Sequence, residues 1–273
     1  MTVIVSVYTR TDQLRLVLEG LSGQTDDGFE VVVAEDHQLE AMARTVEGFR
    51  GGFGHRLIHV SQPHDGFGKT RILNAALRAS HHPYVVFLDG DCVPHPGLVA
   101  AYRRAATPGQ ALVGRRVMLG PAFTESVLSG RARMPPSLLR LLRSDSKRIE
   151  EALRIPFSAK GGRPRGIWGC NWGVNRSDLE SINGYDEDFR TAGVGEDVDV
   201  EWRLLATGVT LASVKHRAVV YHLHHPANYS RDDVAVGREI LRRKRESAQV
   251  RCVNGLARLP AELAGGDEER RES

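Results

Sequence analysis

The sequence predicts an α/β fold with a mostly parallel central sheet flanked by helices. Short, β-branched apolar runs recur through the first hundred residues, and such runs are typical of strands buried on both faces. Segments with apolar residues on one helical face lie between these runs. Alternating strands and helices favour parallel pairing with right-handed crossovers, so we predict one sheet covered on both faces.

Four strands and two helices account for the first part of the chain. The predicted strands are residues 2–8, 29–34, 56–60 and 84–88. The first helix begins at Thr11 and Asp12, and the second follows a turn that contains Gly66 and Gly68. Ligands of such sheets bind outside the carboxyl ends of the strands. The acidic residues there, Asp36, Asp89 and Asp91, should therefore converge on one crevice.

The second part of the chain is less regular. Between residues 108 and 165 we predict loops around a single helix at 138–153. A capping box at 177–180 predicts a short helix that ends at Gly184. The remaining predicted elements are a helix from about Glu196 or Asp197 to Gly208, a strand at 218–224, a charged helix at 232–251 and a polar tail. These boundaries divide the chain into residues 1–107, 108–229 and 230–273.

Composition excludes several classes of protein. With 273 residues and 41% hydrophobic residues, the chain can form one large domain. Aromatic residues make up only 6% and the net charge is +3, so we expect no nucleic-acid partner. Three distant cysteines without zinc spacing favour a reducing compartment. We expect a soluble, cytoplasmic protein without a signal peptide or a membrane span, and its last helix is a candidate homodimer surface.

The segment Asp89-Gly90-Asp91 is a candidate metal site. Two carboxylates on either side of one glycine can reach a single hard cation such as Mg²⁺ or Mn²⁺. The alternative is a simple Asp-Gly turn, which the dipeptide alone would favour. The position at the end of a buried strand favours the metal site.

A second metal candidate lies near residue 222. The segment 221–226 (YHLHHP) should place His222 and His224 on one strand face, with His225 following. Imidazole is a common transition-metal ligand, although a solvated strand edge would explain the same histidines.

Two further groups could bind a nucleotide. Glu35 and Asp36 end the second strand, where a carboxylate could accept from a base or a ribose hydroxyl; the alternative is a solvated loop. Lys69 and Arg71 follow a glycine turn at a helix start and suit a diphosphate. An exposed basic first turn is the alternative there.

Catalytic and acceptor-binding candidates come from the second half. Glu196 and Asp197 begin a helix, where a carboxylate is either an N-cap or a rigidly held general base. Trp168, Gly169, Asn171 and Trp172 offer flat apolar faces and an amide to a sugar ring. Packing in the core is the alternative for the two tryptophans.

In this order, these motifs resemble those of the family 2 glycosyltransferases of the GT-A fold. The resemblance runs from Val3 to about Asn228. The matching segments are 3–25, 31–36, 68–79 (GKTRILNAALRA), the D-x-D of 89–91, 169–189, the E-D of 196–197 and His222. Residues 7–10 (VYTR) depart from the P-x-Y-N of many members, and His37-Gln38 replaces a frequent Gly-Ser.

The resemblance implies a metal-dependent glycosyltransferase that moves a sugar from a nucleoside-diphosphate sugar to a small-molecule or glycan acceptor. It implies Mn²⁺ or Mg²⁺ and favours a UDP-sugar, with a GDP-sugar as the alternative. Residues 1–107 would bind the donor, 108–229 would bind the acceptor and catalyse transfer, and 230–273 would be a helical extension.

The same resemblance assigns a role to each candidate residue. Asp197, next to Glu196, would be the base of an inverting reaction. Asp91, Asp89 and His222 would bind the metal, and Trp168, Gly169, Asn171 and Trp172 the acceptor. The implied donor contacts are Tyr8, Arg10, Glu35, Asp36, Lys69, Arg71, Asp89 and Gly90.

Three other functions are compatible with parts of this pattern. A nucleotidyltransferase would need a glycine-rich loop after the first strand, and residues 8–10 contain no glycine. A retaining transferase would differ in the anomer of its product. A sugar-nucleotide-binding protein without activity would not need both the D-x-D and the E-D.

Overall fold

A computed structural model describes residues 1–155, 164–193, 195–226 and 229–257. The strands within these ranges are β1 Thr2–Val7, β2 Glu30–Glu35, β3 Arg56–Ser61, β4 Tyr84–Asp89, β5 Cys92–Pro94, β6 Gln110–Val113, β7 Arg115–Met118, β8 Asn171–Asn175, β9 Thr210–Ser213 and β10 Val219–His222. The α-helices are α1 Thr11–Ser22, α2 Glu40–Arg50, α3 Lys69–Ala79, α4 Leu98–Ala105, α5 Pro121–Leu128, α6 Leu138–Leu142, α7 Arg176–Ser181, α8 Glu196–Ala206 and α9 Arg231–Glu246. A 3₁₀ helix spans Ile149–Ala152.

Seven strands form the central sheet, in the order β3-β2-β1-β4-β8-β6-β9. β1 pairs in parallel with β2 and β4, and β2 pairs in parallel with β3. β8 is antiparallel to both β4 and β6, whereas β9 is parallel to β6. The predicted α/β class and the mostly parallel sheet are confirmed.

The two faces of this sheet bury two separate apolar layers, because successive strand residues point in opposite directions. In β1, Val3, Val5 and Val7 belong to the layer that packs on α1 and α2. Ile4 belongs to the layer that packs on α3 and α8. Since both faces are covered, β1 and β2 have apolar runs rather than alternating polarity.

A second sheet of three strands, in the order β5-β10-β7, positions part of the site. β5 begins directly after Asp91, and β10 pairs with it so that His222 lies opposite Cys92. The late histidine segment is thereby held next to the early D-x-D segment. This contact joins residues 130 positions apart in the chain, and no local sequence pattern predicts it.

The prediction of loops around one helix between residues 108 and 165 was wrong. This region contains β6, β7 and α5, and the predicted helix at 138–153 is divided into α6 and the 3₁₀ helix. The chain turns between them because Asp145 accepts hydrogen bonds from Ala122 N and Phe123 N at the start of α5. Lys147 then bridges to Met118 beside β7.

Several other boundaries also differ from the predictions. The elements α2, α4, β5, β8 and β9 were not predicted. The capping box predicted at 177–180 was wrong, because α7 begins at Arg176 and its N-cap Asn175 accepts no side-chain cap bond. A capping box forms instead between Ser230 and Asp233, at the start of α9. The strand predicted at 218–224 is shorter and ends at His222.

No helix in the described part of the chain combines the length and the apolar composition needed to cross a membrane.

Candidate active site

A cavity of about 800 Å³ opens at the carboxyl ends of β1 and β4. Residues from both halves of the chain line it. Its polar lining includes Ser6, Tyr8, Arg10, Asp36, His64, Lys69, Asp89, Asp91, Arg116, Arg190, His222, His225 and Asp233. Gly90 lines the same cavity. The predicted convergence of Asp36, Asp89 and Asp91 on one crevice is therefore what the fold shows.

Asp91 lies beside two histidines. Its Oδ2 atom is 2.9 Å from His225 Nε2 and 3.6 Å from His222 Nε2. One ligand atom from each of the three residues lies within 4.8 Å of the others, so the group could hold a metal ion. His224 is exposed and is not part of this group, and its backbone N–H donates to Thr124 Oγ1.

The charges of this group suit a cation. Burial would raise the pKa of Asp91, but hydrogen bonding to His225 and the nearby His222 lower it to about 2. Burial lowers the pKa of His222, which therefore stays neutral at neutral pH and can act as a ligand. The contact with Asp91 raises the pKa of His225, as expected for an imidazole held against an anion.

Asp89 occupies a different position from Asp91. Its Oδ1 atom accepts hydrogen bonds from Ser6 Oγ at 3.0 Å and from Lys69 Nζ at 3.1 Å. Among the described residues, its carboxylate is outside the group formed by Asp91 and the two histidines. The structure thus separates the two acids of the D-x-D, with one facing a lysine and the other facing imidazoles.

Lys69 is the first residue of α3 and connects the two halves of the site. Its Nζ atom lies 3.6 Å from Glu196 Oε1 in α8, in addition to its contact with Asp89. Burial lowers the pKa of Lys69, but Asp89, Glu196 and Asp197 raise it well above its usual value. The ammonium group therefore remains charged, in a position where it can meet an anionic ligand.

Asp197 is oriented by a backbone contact from outside its own helix. Its Oδ2 atom accepts a hydrogen bond of 2.7 Å from Gly169 N, while Oδ1 is buried and has no partner among the described residues. The N-cap of α8 is Gly195, so capping does not explain Asp197. A Cβ at Gly169 would lie 2.8 Å from Asp197 Oδ1 and 3.2 Å from Lys69 Nζ, so both groups face the same small space.

Burial and the neighbouring Glu196 together raise the pKa of Asp197 to about 7, although Lys69 opposes both effects. A carboxylate with such a pKa can take up a proton near neutral pH. Asp197 is therefore an acid with a pKa near neutral and one buried oxygen that has no hydrogen-bond partner among the described residues, and neither Asp197 nor Glu196 is part of the cavity lining.

Asp36 has a structural contact as well as a place in the cavity wall. Its two oxygens accept hydrogen bonds from Gln62 Nε2 at 2.6 Å and from Gly68 N at 2.8 Å. A Cβ at Gly68 would lie 2.5 Å from Asp36 Oδ1, so only glycine allows this approach. Asp36 thereby fixes the start of α3 and hence the position of Lys69.

Three aromatic rings stand near Asp36. The Tyr8 ring lies 5.3 Å from that of His64, and His64 stacks on His37 at 5.2 Å. Tyr8 Oη is 3.3 Å from His64 Nε2. Such rings offer flat surfaces to a planar ligand.

Two predicted donor contacts are not in the cavity lining. Glu35 faces β3 and α2, where its carboxylate contacts His59 Nε2 at 2.8 Å and accepts from Leu39 N. The guanidinium of Arg71 donates to Gln62 Oε1 and to the Pro63 carbonyl. The side chains of Glu35 and Arg71 therefore stabilise the segments that carry the cavity lining and do not face the cavity themselves.

Two predicted acceptor contacts lie in the core. Asn171 is fully buried, where its amide accepts from Tyr102 Oη and donates to the carbonyls of Arg115 and Ala218. Trp172 is also fully buried and stacks on Phe87 at 4.7 Å. Because β8 is an interior strand, these residues have no access to a sugar. Trp168 and Gly169 precede β8, and of these two Gly169 contacts Asp197.

Some residues of the site were not predicted. His64, Arg116, Arg190 and Asp233 line the cavity, and His225 rather than His224 joins Asp91. Arg116 and Arg190 belong to no local motif. Arg116 reaches the cavity because β7 pairs with β10, and Arg190 reaches it through the path of the chain before α8. The histidine run did indicate His225 as one candidate. Because β10 ends at His222, only the structure decides whether His224 or His225 lies beside Asp91.

This is an α/β protein of the GT-A type. The order of strands in its sheet defines the type, together with a cavity at the strand ends that contains separated acids, a lysine and two histidines. The chain belongs to glycosyl transferase family 2, whose model matches residues 2–182. A second model, described as the N-terminal domain of galactosyltransferase, matches residues 158–226. The family that the order of the motifs predicted is confirmed.

Curated relatives are named as glycosyltransferases. The chain is 25% identical to the validoxylamine A glucosyltransferase of Streptomyces hygroscopicus subsp. jinggangensis, over 84% of this chain and 58% of the relative. It is 26% identical to the pre-mycofactocin glycosyltransferase of Mycobacterium tuberculosis, over 86% of this chain and 44% of the relative. The chain thus spans about half the length of the curated relatives that it matches.

Solved structures share the fold. The mannosyltransferase PcManGT from Pyrobaculum calidifontis, in complex with GDP-Man and Mn²⁺, aligns with a TM-score of 0.57 and 21% identity, over 84% of this chain and 58% of that chain. GalNAc-T7 with UDP, GalNAc and Mn²⁺ aligns with a TM-score of 0.60 and 13% identity, over 84% and 44%. S. aureus TarS 1-349 in complex with UDP aligns with a TM-score of 0.57 and 18% identity, over 88% and 63%.

Proposed function

We propose that this protein transfers a sugar from a nucleoside-diphosphate sugar to an acceptor hydroxyl, with inversion at the anomeric carbon and Asp197 as the general base. The observation that carries the proposal is the position of Asp197. Gly169 N holds one oxygen, the other is free, and both Asp197 and the cavity residue Lys69 face one space. A carboxylate fixed in this way can deprotonate an attacking hydroxyl group.

The first half of the site suits the donor. Tyr8 and His64 offer flat faces to a base, and Asp36 can accept from a base or ribose group. Lys69 and Arg10 supply positive charge for a diphosphate. Structurally similar proteins are bound to GDP-Man or UDP, which supports a nucleotide donor without deciding the base.

The group of Asp91, His222 and His225 fits a divalent ion, because three ligand atoms of suitable chemistry lie within 4.8 Å of one another. Two imidazoles and one carboxylate favour Mn²⁺ over Mg²⁺, which prefers oxygen ligands. A bound ion would supply Lewis-acid stabilisation of the negative charge on the departing diphosphate. Asp89 is assigned to the donor and Lys69, because its carboxylate accepts from Lys69 Nζ and is not part of the Asp91 group.

A screen of nucleoside diphosphates tests the proposal. We expect one of UDP, GDP or dTDP to raise the melting temperature in the presence of Mn²⁺, with a smaller rise in Mg²⁺ and almost none in EDTA. Binding to the folded state alone stabilises it, and the stabilisation increases with ligand affinity. A melting temperature that no nucleotide–metal pair changes would contradict the proposed donor site.

The pH dependence of turnover tests the base. Asp197 must be deprotonated to accept a proton, and its pKa is raised to about 7 by burial and by Glu196. We therefore expect kcat/KM to fall about tenfold for each pH unit below this value and to level off above it. Release of the nucleoside diphosphate, with water or an acceptor as the attacking group, measures the rate. A profile that stays flat down to pH 5 would exclude Asp197 as the base.

A further inference from the structure

Three guanidinium groups surround one indole ring beside the proposed base. The Cζ atoms of Arg115, Arg148 and Arg116 lie 4.9, 5.0 and 5.6 Å from the centre of the Trp168 ring. Trp168 directly precedes Gly169, whose N–H orients Asp197. The cluster of Arg115, Arg116, Arg148 and Trp168 is therefore adjacent to the point where an acceptor hydroxyl would be activated.

This cluster carries positive charge that no ion pair with a described carboxylate neutralises, although the nearby Asp89 and Asp91 raise the pKa of Arg116. None of its three arginines forms an ion pair with a described carboxylate, although many other arginines of the chain do. Arg115 donates only to the carbonyls of Gly114 and Gly166, and Arg116 Nε is buried without a partner among the described residues. Arg115 is buried, Arg116 is half-buried and Arg148 is exposed. Like charges brought together in this way repel one another, so the arrangement favours the binding of an anion.

The position of the cluster distinguishes donor from acceptor. Arg116 lines the donor cavity, but Trp168 and Arg148 are outside its lining. Lys69 and Arg10 already supply cations for the diphosphate within that cavity. An anion that reaches Arg148 would therefore lie outside the donor cavity, next to the Trp168-Gly169 segment that orients Asp197.

We propose that the cluster of Arg115, Arg116, Arg148 and Trp168 binds an oxyanion group of the acceptor, either a phosphate monoester or a carboxylate. Guanidinium groups bind these two groups through paired N–H donors. The interaction would place an acceptor hydroxyl next to Asp197. The inference rests on the proposed function, because that function defines Asp197 as the base.

Calorimetric titration of methyl phosphate and of acetate tests the inference. Both probes are titrated into the full chain, with and without the nucleotide–metal pair that stabilises it most. We expect one probe to bind the wild-type protein and to bind Arg148→Gln roughly tenfold more weakly or worse, since a charge-assisted hydrogen bond is lost. Arg148→Lys should bind with intermediate affinity, because it keeps the charge but loses the planar fork.

Arg143→Gln is the matched control, because Arg143 is an exposed arginine of the same segment and does not contact Trp168. It should bind the probe like the wild-type protein. Equal probe affinity in Arg148→Gln and the wild-type protein, or no binding of either probe, would overturn the inference. An equal loss of nucleotide affinity in Arg148→Gln would assign the cluster to the donor and overturn it too. Binding of a probe that needs Arg148, in a protein that binds no nucleotide, would support the oxyanion site and reject the proposed function.

Discussion

Replacing Asp197 by asparagine should reduce turnover by roughly 10²–10⁴-fold while nucleotide affinity changes little. The amide has almost the same shape, and its oxygen can still accept the hydrogen bond from Gly169 N. It cannot accept a proton from the attacking hydroxyl, so the loss should appear in kcat. Release of nucleoside diphosphate measures turnover, and calorimetry with the nucleotide and Mn²⁺ measures binding.

Asp232→Asn is the control for this substitution. Asp232 is an exposed acid in the first turn of α9, as Asp197 is an acid in the first turn of α8. The control should keep the wild-type rate, because it removes a similar charge from a helix start without changing the site. Near-normal turnover in Asp197→Asn would reject the assignment of the base.

Replacing Asp91 by asparagine should weaken Mn²⁺-dependent nucleotide binding by at least roughly 100-fold. Substitutions of groups that only orient a metal ligand already cost 10–100-fold, and Asp91 would be a ligand itself. Its carboxylate is also the anion that lies between His222 and His225. Nucleotide affinity measured across a Mn²⁺ titration should show the loss, whereas affinity in EDTA should be equally low for both proteins.

Neighbouring histidines provide a matched pair for the same site. His225→Ala should shift the Mn²⁺ titration in the same direction as Asp91→Asn, because its Nε2 atom is 2.9 Å from Asp91 Oδ2. His224→Ala should bind Mn²⁺ and nucleotide like the wild-type protein, because this residue is exposed and, among the described residues, only its backbone forms a hydrogen bond. The proposed metal group would be rejected if the two variants behaved alike.

The strands that carry the site could be predicted because their signal is local. In β1, β2 and β4 nearly every side chain is buried, so their sequences are mostly apolar runs, and acids stand at the ends of β2 and β4. The short strands β5, β8 and β9 were missed, since three to five residues give too little pattern to separate them from loops. The region from 108 to 165 was misjudged for the same reason.

The candidate site was predictable in part. The places of Asp36, Asp89, Asp91, Lys69 and Asp197 at strand ends and helix starts made them candidates. Their roles come from the resemblance to family 2 glycosyltransferases and stay predictions that the experiments above address. The acceptor prediction failed at Asn171 and Trp172, because the same amide and aromatic groups that suit a sugar also suit a buried strand. Only the position of β8 between β4 and β6 separates these two possibilities.

The sequence by itself determined the α/β class, the family and the acids at the ends of the parallel strands, because these depend on short-range periodicity and on the order of motifs. The tertiary structure decided which residues meet across long distances. It placed His225 rather than His224 beside Asp91, gave Asp197 the backbone N–H of Gly169, and gathered three arginines around Trp168. Such contacts depend on strand pairing between distant segments and on where each strand stops, and neither is encoded in a local pattern of residues.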